Sequence, residues 1–432
     1  MRRFRTLLLA GATVVAVAAG FLVVGAFSGS PTPTESPSAA PVSVQDPLTK
    51  AIEKAQKQLA NNPGDAKGWA GLGIAYVSQA KLTGDPSYYA KAQGAVAKSL
   101  ALDTKTNYMG YAGLAALKNA VHDFRGAEAA ARRGIAIDGY NSTLYGALGD
   151  ALTQLGKYDA AAAAIDRMNQ LLPGVPAFTR ASYVFELRGD VKDAKAALER
   201  ALQDATTPSD QAFAQYYLGE LALHYGGGAA AALQHYQAGL TATPHDAVLL
   251  AGRAKAEAAL GQTATAITDY RASVDARPIP QSVVELAELL ESVHDPSAKD
   301  QYDLFRIQEK LYNAAGVALD TEATLFEADH GSPAVALRDA VLGWRTRPFV
   351  EMADAYSWAL YANHRYAEAL GWSQKAFVSG WKTAPALYHR GMIEKALGSR
   401  KAAKADLTEA LRLDPHFNVL GAPRARAALA SL

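Results

Sequence analysis

Trp69-Ala70-Gly71-Leu72-Gly73-Ile74-Ala75-Tyr76 sets the pattern from which the rest of the chain is read: an aromatic, a Leu-Gly step three residues on, and a second aromatic three residues later. Positions three and four apart share one face of an α-helix, so the stretch reads as a helix with one packed stripe. The spacing returns at Tyr145, Leu148, Gly149 and Leu152, followed by Gly156, Tyr158, Ala161, Ile165 and Pro173. A further copy closes on Ala403, Leu407, Ala410 and the run Leu411-Arg412-Leu413-Asp414-Pro415. Closing prolines act as a ruler: Pro173, Pro244, Pro278, Pro348 and Pro415 are 71, 34, 70 and 67 residues apart. Those intervals are two, one, two and two periods of roughly 34 residues. Intermediate ends fall near Thr104, Gly139, Thr206 and Trp381, where the proline is replaced.

These landmarks resemble the tetratricopeptide (TPR) repeat, a helix-turn-helix with Trp-x2-Leu-Gly-x2-Tyr on its first helix, Ala-x3-Phe on its second and Pro after it. The resemblance implies an all-α protein over residues 47–432: a right-handed α-solenoid, or superhelix, of about ten TPR-like helix pairs with a C-terminal capping helix. Each pair is too small to bury its apolar face alone, so stacking is obligatory. Small residues such as Gly73, Gly149 and Gly219 let paired helices approach, while Trp69, Tyr145 and Ile165 fill the contact with the next pair.

The fit is uneven. Residues Leu82 to Ser87 lengthen the first turn, and Gly226-Gly227-Gly228 loosens another. The register is weakest from Ile279 to Asp320, where an amphipathic run from Ser297 to Ala318 overruns a short second helix. After Pro415, the tail His416 to Leu432 predicts one more helix from Pro423, with Arg424 and Arg426 outward, as a solvating cap.

In proteins of this type the first helices line a concave face, and their second, fifth, ninth and twelfth positions point into it. That register makes Asp150, Tyr183, Tyr216, Glu220, Lys255, Asp354, Trp358, Tyr361, Tyr388 and Met392 candidate peptide-binding liners. Asp354, Trp358, Tyr361, Tyr388 and Met392 form the densest group; such aromatics either anchor a peptide or pack between repeats. TPR domains that hold a terminal carboxylate use Lys and Asn where this chain has Ala70 and Ile74, so the resemblance does not extend to them.

Composition narrows the function. The chain has 43 Lys plus Arg against 42 Asp plus Glu; without Arg2, Arg3 and Arg5 its formal net charge of +1 becomes −2. A folded region with that balance has no excess positive charge for a phosphate backbone, so nucleic acid is not an expected partner. No cysteine is present, which excludes disulfides, thiolate metal sites and a cysteine nucleophile. No His-Glu-x-x-His, Gly-x-Ser-x-Gly or phosphate-cradling loop occurs among the 9 histidines and their surroundings, and no cofactor or metal is expected. Asp329-His330 and Tyr388-His389-Arg390 are neighbours that point about 100° apart on a helix, so neither is a ready acid–base pair. His330 reads as a surface or capping residue at a turn. The expectation is a non-enzymatic scaffold that binds a protein or peptide. The rivals are a glycan-processing enzyme using Asp150, Glu220 and Asp354, and a spacer without a specific ligand.

Arg2, Arg3 and Arg5 precede an uncharged, largely apolar run from Thr6 to Phe27. As a helix this run spans roughly 33 Å, enough for a bilayer core of about 30 Å. Residues 1–27 therefore predict an anchor or a signal peptide, cleavable after Val24-Gly25-Ala26, with the basic cluster cytoplasmic and the remainder outside. Residues 28–46, with four prolines and five serines, predict an extended linker. The chain is thus expected to be extracytoplasmic, tethered in the cytoplasmic membrane or secreted, and to serve an envelope-associated bacterial assembly.

Overall fold

The computed structural model describes residues 47–432, and among these every regular element is an α-helix. A leading helix α1 (Pro47–Asn61) is followed by five pairs: α2 (Ala66–Thr83) with α3 (Ser87–Leu102), α4 (Tyr108–Ala120) with α5 (Phe124–Ile137), α6 (Ser142–Gln154) with α7 (Tyr158–Leu171), α8 (Val175–Leu187) with α9 (Val191–Gln203), and α10 (Pro208–His224) with α11 (Ala229–Ala242). Five more complete the array: α12 (Ala247–Ala259) with α13 (Thr263–Ala276), α14 (Pro280–Ser292) with α15 (Ala298–Ala314), α16 (Asp320–His330) with α17 (Pro333–Thr346), α18 (Val350–Ala362) with α19 (Tyr366–Ala376), and α20 (Ala384–Ala396) with α21 (Arg400–Leu413). A last helix, α22 (Gly421–Ala430), closes the chain. The pairs are thus ten, and no interruption falls at residues 279–320; there α15 runs long and ends at Ala314.

Local chemistry places the helix ends. Asp65, Asn107, Asn141, Thr207, Asp246 and Thr383 precede first helices and accept backbone N–H groups of the opening turn, satisfying donors that would otherwise be orphaned. Within pairs, the tight turn needs one residue at positive φ. Gly156, Gly189, Gly261 and Gly398 supply it at four pairs, whereas His122, His294 and His364 take it at three others. The expected close approaches are present: a Cβ on Gly73, Gly149 or Gly219 would lie 2.6, 2.6 or 2.5 Å from Val96, Ile165 or Tyr236 of the paired helix. Ile165 therefore fills the contact within its own pair, and it also packs with Val184 of the next.

The array winds tightly enough to touch itself. Arg277 Nη1 donates to the Leu82 carbonyl at 3.2 Å, His122 Nδ1 meets Asp320 Oδ2 at 3.2 Å, and Arg347 Nε donates to Gln154 Oε1 at 2.6 Å. The Val350 N–H donates to Tyr158 Oη at 2.9 Å, and Tyr183 Oη donates to Glu351 Oε1 at 3.0 Å. Gly189 and Gly380 bring two backbones together, since a Cβ on Gly189 would lie 2.8 Å from the Gly380 carbonyl oxygen. His224 Nδ1 then reaches Asp414 Oδ2 at 3.5 Å. The four contacts nearest the turns bridge 195, 198, 193 and 192 residues, a nearly constant interval. In each, the turn inside one pair rests on the junction about five and a half pairs later. The result is a seam between successive turns of the superhelix. Arg347, 0% exposed, is central to it: its guanidinium lies over Phe349, with centroid distance 4.3 Å, while bonding Gln154.

The cap differs from the expected one. α22 starts at Gly421 rather than Pro423; Arg424 and Arg426 are exposed as anticipated, but the segment before it folds inward. Phe417 packs on Tyr388 with ring centroids 5.3 Å apart, and Asn418 Nδ2 donates to Glu288 Oε2 at 2.6 Å. Among the described residues no helix is long and apolar enough to cross a membrane. The expected anchor at 6–27 and linker at 28–46 lie outside the described residues.

Candidate binding cavity

Because first helices face inward and successive turns meet, the concave face is not an open trough. It forms a partly open cavity of about 440 Å³, within the range of ligand pockets. Its walls come mainly from first helices: Glu186 on α8, His224 on α10, Lys255 on α12, Glu285, Glu288 and Leu289 on α14, Phe326 and Asp329 on α16, Glu351 and Asp354 on α18, and Tyr388 and His389 on α20, with Tyr270 and Phe305 reaching in from the second helices α13 and α15. The segment 416–424 and Arg426 complete it. Above it, between α8 and α10, a void of about 20 Å³ is lined by Tyr183, Glu186, Glu220 and His224, room for about one water.

The interior is rich in carboxylates, and their partners differ. Glu220 accepts from Tyr236 Oη at 2.5 Å and from Lys255 Nζ at 3.1 Å, with His224 Nε2 at 3.4 Å. Burial opposes its charge, but Lys255 and His224 outweigh that, so the carboxyl is held well below the usual range. His224 shows the converse balance: burial disfavours its charge, yet Asp414 and Glu220 raise its pKa to about 9. Glu186, which accepts from Tyr225 Oη at 2.8 Å, has no such cation bonded, and burial pushes it up to about 7. Burial likewise pushes Glu351 up to about 8. Glu288 is bridged to the tail by Asn418 and to α16 by His330 Nε2 at 2.9 Å. His330 is consequently not a surface or capping residue: its side chain, 9% exposed, ties two inward helices together.

Of the residues singled out in the sequence, Lys255, Asp354 and Tyr388 line the larger cavity, and Tyr183 and Glu220 line the small void. Asp150 is locked in a buried two-bond pair, Arg180 Nε to Oδ1 at 2.8 Å and Arg180 Nη2 to Oδ2 at 2.9 Å. Tyr216 is buried against Tyr236. Trp358, 5% exposed, donates its indole N–H to Asp329 at 2.9 Å and stacks on Tyr361 and His389 at 4.5 and 4.3 Å; Met392 packs at the margin of the same cluster. Trp358, Tyr361 and Met392 are therefore packing between the last pairs, the alternative that aromatic stripes at helical spacing carry with them. Asp150, Glu220 and Asp354 are committed to three separate partners, Arg180, Lys255 and His389.

The sequence reading missed Glu351, Glu285 and Glu288. Glu351 stands three residues before Asp354 on α18, at position two of the register that singled out Asp354 at position five. Glu288 was hidden by the displaced landmarks at 279–320; counted from Pro280 it takes position nine.

The family model described as Tetratricopeptide repeat matches residues 142–167 and 384–417, which are α6 with most of α7, and α20 with α21. No curated protein matches the chain. Similar solved structures include a tetratricopeptide repeat protein from Parabacteroides merdae (18% identity, covering 59% of this chain and 97% of that one, TM-score 0.34). Others are a human IFIT1 dimer with PPP-AAAA (14% identity, 85% and 88% covered, TM-score 0.44) and the APC/C hetero-tetramer Cut9-Hcn1 (12% identity, 88% and 82% covered, TM-score 0.40).

Proposed function

We propose that this tetratricopeptide-repeat solenoid is a non-enzymatic scaffold that takes a short segment of a partner protein into the interior of its superhelix. The observation that carries the reading is the 440 Å³ cavity lined from seven successive first helices, α8 to α20, the face on which such arrays present their extended binding surface. The separate engagement of Asp150, Glu220 and Asp354 supports a binding role over an acid–base one, which needs two carboxyls within reach of one substrate. The assignment extends to location. Arg2, Arg3 and Arg5 before the uncharged run 6–27 support export of residues 28–432, tethered by the N-terminal segment, to an envelope-associated assembly.

A photo-crosslinking amino acid tests the reading. Placed at Val284 in the cavity wall it captures a specific partner in cells, whereas at Leu342, 52% exposed on a second helix, it does not. Equal capture from both positions overturns the interior as the binding surface. Protection of the folded region from protease added to spheroplasts, with cleavage only after lysis, would overturn the exported location.

A further inference from the structure

Two carboxylates on one face of α18 keep open hydrogen-bonding capacity inside the cavity. Glu351 and Asp354 are three residues apart, hence neighbours on the helix surface, and both line the cavity while being 3% and 6% exposed. Glu351 Oε1 accepts from Tyr183 Oη at 3.0 Å, and Asp354 Oδ2 meets His389 Nδ1 at 2.9 Å. The other oxygens, Glu351 Oε2 and Asp354 Oδ1, are buried with no hydrogen-bond partner. A buried acceptor left unpaired is costly, and two beside one cavity mark a place for a donor the chain does not provide.

The chemistry of that donor follows from the geometry. Each carboxyl offers a single open oxygen, so the parallel two-bond fork preferred by a guanidinium is not available, while a compact ammonium with three rotatable donors can bridge the two once Glu351, held neutral by burial at neutral pH, has released its proton to solvent. Among the described residues no three His, Asp or Glu side chains are placed to hold a metal ion. Apolar wall from Val284, Leu289 and Phe326 would cover a stem or flanking side chains, whereas exposed Arg424 and Arg426 at the lining's outer edge would repel a run of several cations. Building on the scaffold reading above, we propose that the cavity recognises a single lysine flanked by apolar residues in a partner's extended segment, its ammonium held between Glu351 Oε2 and Asp354 Oδ1.

Calorimetric titration of the whole protein with the capped pentapeptide Ac-Ala-Leu-Lys-Leu-Ala-NH2, its norleucine and glutamate analogues, and spermidine tests this. The lysine peptide is expected to bind about tenfold or more tighter than the norleucine analogue, with that advantage lost in E351Q/D354N. Equal binding of the lysine and norleucine peptides, or an advantage that survives the double variant, overturns the proposal. So does spermidine binding tighter than the peptide through the same two carboxylates, which would assign a free polyamine. A preference for the glutamate peptide sinks the lysine site and leaves the scaffold standing; loss of capture from Val284 is what sinks the scaffold. Should the double variant fail to fold, carbodiimide coupling of the lysine peptide to the unaltered protein decides. The amide bond, formed with loss of water, must map to Glu351 or Asp354, and coupling only elsewhere contradicts the site.

Discussion

Four glycines in equivalent turns provide an internal control for the seam. Gly156, Gly189, Gly261 and Gly398 have φ of +68, +78, +76 and +77°, so alanine at any of them suffers the same left-handed strain, on the order of 1–2 kcal/mol. Their surroundings differ. A Cβ on Gly156 would overlap the Pro348 carbonyl oxygen, and on Gly189 it would lie 2.8 Å from that of Gly380, backbone atoms of the following superhelical turn; at Gly261 and Gly398 nothing lies within 4 Å. Overpacking against backbone adds about 1–3 kcal/mol. G156A and G189A should therefore cost roughly 2–5 kcal/mol, against roughly 1–2 kcal/mol for G261A and G398A. Urea denaturation followed by circular dichroism measures the difference, with amide exchange at Phe349, Val350 and residues 380–384 reporting whether the seam itself opens. Equal destabilisation of all four variants would refute a seam at these turns.

Arg180→Ala should cost about 3–5 kcal/mol, because it strands the buried Asp150 carboxylate, whereas D150L/R180M should recover most of the loss; urea melts of the two variants check this. Gly149→Leu, set against Ile165, should cost at least the 1–3 kcal/mol typical of overpacking and lower the thermal midpoint. The raised Glu351 has a defined sign with pH: protonation stabilises the fold fully below its usual value of 4.5, and that contribution is lost as pH rises through about 8. Stability should thus fall between pH 5 and 8 by an amount that E351Q reduces, and an unchanged pH slope in that variant would contradict the assignment.

The pair, its period and its internal packing are legible in the sequence because they are local. Gly73, Gly149 and Gly219 announce close approach by having no side chain, and each does meet a large partner on its own pair. The shape of the binding region is not legible, since it depends on the small rotation between successive pairs, which no residue encodes alone. That rotation brings Gln154 to Arg347 and Leu82 to Arg277, contacts about 195 residues apart with no shared motif. It also turns an expected open groove into an interior where Trp358 is core and Glu351 is wall. Chain adjacency sets His330 beside Asp329 and His389 between Tyr388 and Arg390, but their hydrogen-bond partners are Glu288 and Asp354 on other helices.

The absence of cysteine makes thiol labelling selective, and one distance tests the closed superhelix most directly. Lys157 and Thr346 are exposed and flank the contacts of Gln154 with Arg347 and of Tyr158 with Val350. Spin labels on K157C/T346C should give one narrow, short separation, as groups on two sides of a single contact must. An open stack places the same positions beyond about 40 Å, given helix spacings of 8–10 Å, and a distribution centred there would contradict the seam and the interior cavity together.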